Sequence, residues 1–326
     1  MTKEEITTFA PVSIPTLCRF EHFKRCIESL SRCTWAEYTD VYVALDYPAK
    51  ESHWEGYKKI KAYLDTCGNM TFKSLNVVIR EKNYGIGSQG NMATLNKGIR
   101  QKYDRYIITE DDNEFSPNFL VFMNKALEKF KDDDRISHVC GFNRNVVIPE
   151  YYKNNYYLVQ NYAPWGIGVW TRKTMPEKYY SIDFYKELLA DDQSYQLLKE
   201  RSPSHLEGLM FMLKKGRLVG DLQICLYQLF ENKYNIRPTL SKVRNHGTDG
   251  TGVHSPKKNV EFNNFYENQL IDESTDFDFG EDIFVMQPDG IIIPHPPVSK
   301  YIIKKWVKKR IIQFDIFMFR HFHVIL

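Results

Sequence analysis

Five short runs of residues favoured in strands, at 9–15, 40–46, 74–80, 105–109 and 136–142, alternate with four stretches whose apolar residues recur at helical spacing, at 21–31, 51–64, 90–102 and 117–130. No other feature constrains the fold so tightly. Strands that run parallel must be joined by crossovers, and a helix is the usual crossover, so this order predicts an α/β chain with a mostly parallel sheet flanked by helices. The last helix is expected to open with Ser116 as N-cap and Pro117 at the first helical position.

Beyond Gly141 the rhythm changes. An aromatic-rich stretch at 151–162 precedes a Trp/Gly segment at 163–171, two or three helices between 183 and 232, and a strand-like piece at 235–243. A polar glycine loop follows at 245–255. The Asn-, Asp- and Pro-rich stretch that comes next has no periodicity. The expected division is a catalytic domain over 1–256, an irregular covering segment or linker over 257–298, and a basic amphipathic C-terminal segment over 299–326.

Charge is unevenly placed. The 326 residues carry 44 Lys+Arg against 41 Asp+Glu, a net +3, which is too little for a protein whose main work is coating nucleic acid. From Lys300 onward, seven basic residues face one Asp, a local +6 that leaves the preceding chain at −3. The N-terminus lacks the basic start and apolar run of a signal peptide, and no stretch of about 18 uncharged apolar residues occurs, so a cytoplasmic chain is expected. Six cysteines form no CxxC pair and no zinc spacing, which fits reduced thiols.

In open parallel sheets, ligands gather beyond the carboxyl ends of the strands. Three polar points fall there: Arg19 after the first strand, Asp46 at the end of the second, and Glu110-Asp111-Asp112 at the end of the fourth. Adjacent acids at a buried strand end repel one another unless a cation or hydrogen bonds compensate them, and a hard divalent ion with oxygen ligands does so directly. Such an ion takes its remaining ligands from water and substrate phosphates. The triplet also fits a solvated turn, because negative charge is favourable before a helix N-terminus. Ahead of it, Lys82 to Asn91 form a glycine-rich loop that opens a helix and offers backbone amides to an anion, without matching a Walker motif.

Together these pieces resemble the GT-A glycosyltransferases of the broad family 2 type. The likeness rests on Pro11-Val12-Ser13-Ile14-Pro15-Thr16 with Arg19 behind it, on Asn83-Tyr84-Gly85 followed by Asn91 and Gly98-Ile99, and on the acidic triplet. The second half resembles the N-acetylglucosaminyltransferase I group. Glu110-Asp111-Asp112-Asn113-Glu114-Phe115-Ser116-Pro117-Asn118-Phe119 is similar to its Glu-Asp-Asp-Leu-Glu-x-x-Pro-Asp-Phe motif, and Trp165-Gly166-Ile167-Gly168-Val169-Trp170 to its Pro-Gly-Leu-Gly-Trp stretch. Asn235-Ile236-Arg237-Pro238-Thr239-Leu240-Ser241, with Gly252-Val253-His254, is similar to its Ile-Arg-Pro-Glu-Ile-Ser and Gly-Val-Ser-His segments. The resemblance covers roughly residues 8–256, in the same order along the chain.

The resemblance implies a Rossmann-like nucleotide-diphospho-sugar transferase fold and an inverting transfer of a sugar from a nucleotide sugar, UDP being the expected nucleotide. Arg19, Asp46 and Asn91 then bind the nucleotide, with Glu110 and Asp111 supporting. Asp112 is the main ligand of Mn2+ or Mg2+. Asp221, sixteen residues before Arg237, is the expected catalytic base, with Asp191 and Asp192 as competitors that more readily cap a helix. Trp165, Gly166, Trp170, Arg237, His246 and His254 are expected to line the substrate pocket. A sugar-phosphate nucleotidyltransferase and a non-catalytic glycan-binding protein of similar fold are the alternatives. The former normally carries a Gly-rich Arg/Lys loop after the first strand, which Pro15-Thr16-Leu17-Cys18-Arg19 is not.

In the C-terminal segment, Ile302, Ile303, Trp306, Val307, Ile311 and Phe314 fall on one half of a helix, and Lys300, Lys304, Lys305, Lys308 and Lys309 lie at its edge or beyond. Such a composition suits a helix lying on an anionic membrane surface. A helix docked on the domain with a solvated lysine face is the alternative. The expected partners are a nucleotide-sugar donor, a glycan or lipid-linked acceptor and the inner face of a bacterial cell membrane, with no nucleic acid.

Overall fold

The computed structural model describes residues 2–144, 146–252, 260–280 and 302–325. Tertiary contacts divide the chain into two units. The larger runs through Val159, takes up Ala163–Lys173 and resumes at Tyr234, and the smaller holds Gln160–Tyr162, Thr174–Lys233 and the described C-terminal residues.

The larger unit is the expected α/β layer. Its first strands are β1 (Val12–Thr16), β2 (Asp40–Leu45), β3 (Ser74–Ile79) and β4 (Arg105–Ile108), joined through the helices α1 (Phe20–Ser31), α2 (Trp54–Leu64) and α3 (Asn91–Arg100). All four strands are parallel, in the order β3-β2-β1-β4. After β5 (Asn113–Phe115) and α4 (Phe119–Lys129), the sheet is extended by β6 (Ile136–Cys140), β7 (Tyr156–Val159), β8 (Ile167–Trp170) and β9 (Tyr234–Pro238). The full order is β3-β2-β1-β4-β8-β6-β9-β7. Strand β8 lies antiparallel between β4 and β6, and β7 antiparallel to β9. Outside this sheet, β5 pairs antiparallel with β10 (Val243–Asn245), matching Asn113 with Asn245.

Side chains explain the layering. Val12 and Ile14 of β1 and Val41 and Val43 of β2 are fully buried, as expected of strands covered on both faces. Helix α4 is buried from Phe119 to Glu128. The two charged residues of that buried stretch are paired: Lys125 meets Asp276 at 3.0 Å and Asp278 at 2.8 Å, and Glu128 meets Arg105 at 2.7 Å.

Four local expectations need correction. Helix α4 starts at Phe119 with Asn118 in the cap position, because the Ser116 amide donates to Lys242 O and keeps Ser116 in the β5–β10 ribbon. The strand-like piece at 235–243 is two strands, since Pro238 ends β9 and the Thr239 amide turns to Asn155 O. Within the stretch read as irregular lies α9 (Val260–Glu267).

In the smaller unit, four helices replace the two or three expected: α5 (Ile182–Ala190), α6 (Asp192–Arg201), α7 (Pro203–Lys215) and α8 (Gly220–Phe230). They are separated by Asp191, whose carboxylate caps α6 at the Ser194 amide, by Pro203 at the start of α7, and by Gly216 in a left-handed conformation after it. Helix α10 (Ile302–Phe322) packs on α5 and α7. No helix among the described residues is long and apolar enough to cross a membrane.

Candidate active site

Strands β1 and β4 are parallel neighbours, and the Thr109 amide continues their ladder to Ser13 O at 3.1 Å. Whatever follows their carboxyl ends is therefore brought side by side. Arg19, immediately before α1, meets Asp111 and Asp112 of the acidic triplet there. Its guanidinium forks: one terminal nitrogen donates to Asp111, the other to Asp112 at 2.8 Å. Both carboxylates are buried. Thr16 Oγ1 donates to Asp111 at 2.8 Å and Asn245 Nδ2 to Asp112 at 2.8 Å. The His246 amide donates to the Asp112 carbonyl at 2.8 Å, so β10 and the loop after it form a strap over the acidic strand end.

Electrostatics follow from this packing. Burial raises the Asp111 pKa; Arg19 opposes that shift, and the neighbouring Asp112 charge adds to it. Burial works against the Arg19 charge, but Asp111 and Asp112 outweigh it and hold its pKa above the ordinary value. Counting the triplet and Arg19 alone, three carboxylates and one guanidinium leave a formal −2. That excess, on hard oxygen donors, fits one divalent cation. Among the described residues no cluster of three or more His, Cys, Asp or Glu side chains could hold an ion unaided.

Trp165 joins the site. Its indole N–H donates to Glu110 at 3.2 Å, and the half-buried ring packs edge-on against Phe142 and Tyr266. The other expected pocket residues are placed elsewhere. Trp170 is a core residue whose N–H donates to Leu127 O at 2.9 Å. Gly166 is buried with φ +70°, and a Cβ there would lie 2.9 Å from both Phe119 and Val243, so its smallness serves close packing. Arg237 is buried on β9 opposite Tyr157 and interacts with Tyr157 and Cys140.

The Asp46 and Asn91 side chains are engaged by the chain itself. The Asp46 carboxylate accepts from the amides of Tyr47, Tyr84 and Gly85 at 2.9, 2.8 and 2.8 Å and from Asn83 Nδ2 at 3.3 Å. Four donors fill the roughly four acceptor sites of a carboxylate. Asn91 donates to Ala44 O at 2.7 Å and accepts from Arg80 at 2.9 Å. These two residues hold the glycine-rich loop in shape, with Gly85 and Gly87 taking positive φ.

His246 is equally committed. Its ring nitrogens lie 2.9 Å from Glu114 and 2.7 Å from Glu267, and the hydrogen bond from His246 is the largest cause of the lowered Glu114 pKa. His254 lies outside the described residues. In the smaller unit, Asp221 is exposed in the first turn of α8, where an acid suits the helix N-terminus. Sequence reasoning missed Thr16, His22, Asn245, Gly247 and Glu267. His22 Nε2 lies 3.2 Å from Asp249 and 3.2 Å from His246 O. A Cβ on Gly247 would fall against Asp112 Oδ2 and 2.8 Å from its Cγ.

No family model and no curated protein matches this sequence. Solved structures that it resembles include a mannosyltransferase and a glycosyltransferase. A mannosyltransferase from Pyrobaculum calidifontis, in complex with GDP-Man and Mn2+, is 12% identical over 68% of this chain and 69% of that one, with a TM-score of 0.38. TarS of S. aureus is 14% identical over 68% and 70%, with a TM-score of 0.35, and the glycosyltransferase GlyE of Streptococcus pneumoniae TIGR4 is 13% identical over 70% and 44%, with a TM-score of 0.29.

Proposed function

We propose that the protein is a glycosyltransferase that moves a sugar from a nucleoside diphosphate, UDP being the expected nucleotide, to a hydroxyl of a cell-surface glycan or lipid-linked acceptor. The reading is carried by one observation: a buried carboxylate pair, shared by Arg19, at the carboxyl ends of two adjacent parallel strands. Arg19 and Asp111 set the position of Asp112, and Asn245 fixes its second oxygen. Asp112 would hold Mn2+ or Mg2+. When bound, the ion supplies Lewis-acid neutralisation of the departing diphosphate. Glu110, which accepts from the Trp165 indole, would support the metal or the ribose from the same strand end. The bond from the sugar to the diphosphate breaks, the acceptor oxygen bonds the anomeric carbon with inversion, and the acceptor proton passes to a base, assigned to Asp221 on its sequence position. Asp46 and Asn91 act on the nucleotide side through the loop they shape. The setting is the cytoplasmic face of a bacterial cell membrane, in capsule, lipopolysaccharide or exopolysaccharide assembly.

The test is hydrolysis and transfer across UDP-, GDP- and dTDP-sugars with and without Mn2+. Asp112→Asn is expected to abolish turnover. Asp221→Asn lowers kcat by about 100-fold or more while nucleotide binding is kept, the size of a lost general base. No turnover with any donor, or full activity in Asp112→Asn, refutes the reading and leaves a glycan-binding protein.

A further inference from the structure

The eight-stranded sheet of the larger unit has two edges, and they are built differently. Strand β7 closes one of them with all four of its residues buried. Strand β3 closes the other, and none of its six residues is buried; Val77 and Ile79 are 39% and 41% exposed. Its pairing with β2 runs unbroken from Ser74 to Ile79, and the strand holds no proline and no charged residue. Bulges, prolines and charges are the devices that keep a sheet edge from pairing with another chain, and β3 has none of them. Among the described residues no strand lies on its outer side.

The ladder fixes which backbone groups are left over. The Arg80 amide donates to Leu45 O at 3.0 Å, and in a parallel pair alternate residues turn both backbone groups towards the same neighbour. Ser74, Asn76 and Val78 therefore face β2, whereas Leu75, Val77 and Ile79 direct N–H and C=O outward. The side chains of these three share one face of the sheet, while Val78 belongs to the other, packed with Leu95 and Ile99.

We infer that β3 is a self-pairing edge, along which two copies of this chain meet antiparallel about a twofold axis at Val77. In that register Val77 opposes Val77 and Leu75 opposes Ile79, so every outward N–H and C=O of the three residues gains a partner and the apolar side chains pair across the junction. A lipid surface would bury the same amides without partners, so the occupant has to be a strand. Charge selects the copy and its direction. Lys73 is exposed before the strand and Glu81 after it. Antiparallel pairing brings each Lys73 beside the other copy's Glu81, with Arg80 opposite Ser74 and Lys82 opposite Phe72. A parallel pair in register would instead stack Lys73 on Lys73 and Arg80 on Arg80. Lys73 already donates to Asp40 at 3.1 Å, and its ammonium has further protons for Glu81. Because β1, β2 and β4 run parallel to β3, the acidic strand ends of the two copies point in opposite directions. The dimer does not depend on the glycosyl-transfer reading.

The full chain is tested by sedimentation over a range of concentrations, and a dimer is expected. Val77→Lys sets two ammonium groups against each other at the axis and should weaken association about 100-fold or more. Val77→Thr, β-branched and uncharged, should remain dimeric. The far-ultraviolet circular dichroism of the Lys variant should match wild type, since Val77 lies outside the core. Val77→Cys reads the register independently. Opposed Cα atoms of a hydrogen-bonded antiparallel pair are about 5.5 Å apart, within disulfide reach, so mild oxidation should cross-link this variant to its own copy. The two copies of Leu75→Cys would stand about 14 Å apart along the strands, so that variant should behave as the wild type, which is the blank for the native thiols. A wild-type chain that stays monomeric at every concentration overturns the inference. So does a dimer that Val77→Lys leaves intact, which would place the contact on another surface, and so does cross-linking by Leu75→Cys in place of Val77→Cys.

Discussion

Arg19→Gln removes the guanidinium that Asp111 and Asp112 share and leaves two adjacent buried carboxylates facing each other. Breaking a buried ion pair by deleting one partner costs about 3–5 kcal/mol, because the surviving charge keeps its desolvation penalty. For a unit of this size the low end corresponds to a fall in Tm of roughly 6–12 °C. The sign of the pH dependence follows from Asp111, whose pKa burial already raises and which loses its main opposing charge in the variant. A carboxyl with a raised folded pKa penalises folding fully above that value and not at all below its unfolded pKa of about 3.9, so the deficit of the variant shrinks as the pH falls from 7 towards 4. Denaturant midpoints of wild type, Arg19→Gln and Arg19→Gln with Asp111→Asn at pH 7 and pH 5 measure this. The second substitution removes one of the two charges and is expected to recover part of the loss. A single variant within about 0.5 kcal/mol of wild type, the range of ordinary surface changes, would refute the account of Arg19 as the internal counter-ion.

Gly247→Ala places a Cβ against the buried Asp112 carboxylate, so it should lower donor turnover at least about tenfold and lower Tm as well; unaltered kcat and KM would show that Asp112 tolerates displacement. Asp46→Ala strips the acceptors from the amides of Tyr84 and Gly85, so proteolysis within residues 83–90 should accelerate, and stability should fall by about 1–3 kcal/mol; an unchanged cleavage rate counts against the latch. Burial opposes the charges on Glu128 and Asp272, but hydrogen bonds from Lys131, Thr7 and Arg105 to the first, and from Lys242 and Asn118 to the second, hold both at about 2. Carboxylates depressed in the folded state contribute stability that is present above about pH 4 and lost as the pH falls towards 2, so the acid limb of a stability curve should flatten in Glu128→Gln and in Asp272→Asn.

The strands of the larger unit were legible because each is a short run with one dominant character, and the helices between them because three or more turns suffice to show a period. The acidic triplet and Arg19 were legible because both follow strand ends, and parallel neighbours bring strand ends together. Their other partners were not. Asn245 and Gly247 lie far along the chain from Asp112 and reach it only through the antiparallel register of two three-residue strands, for which no local pattern exists. Trp165 and Trp170 look alike in sequence, yet one precedes β8 and reaches Glu110 while the other ends β8 and faces Leu127. Asp46 stands out in the sequence because it ends a strand, and Asn91 because the resemblance places a nucleotide-side residue there; the contacts both make within the chain, to the loop amides and to Ala44 O, leave no mark in composition. Helix α9 is eight residues long, too short for its period to stand out.

The charge balance of the site bears on the order in which it is built. A folding chain must close β1 against β4 before any ligand can recognise the result, and closing them buries Asp111 and Asp112 together. If a diffusing ion were the only compensation, the sheet would have to form around an unpaired carboxylate pair, a state several kcal/mol uphill. Arg19 follows β1 directly, so the same strand pairing that buries the acids delivers a cation to them. The residual −2 is then the charge that the proposed divalent ion would meet, without the fold depending on it. In the proposed enzyme the arginine and the ion would not be redundant: the first makes the carboxylate pair compatible with a folded sheet, and the second would make it complementary to a diphosphate.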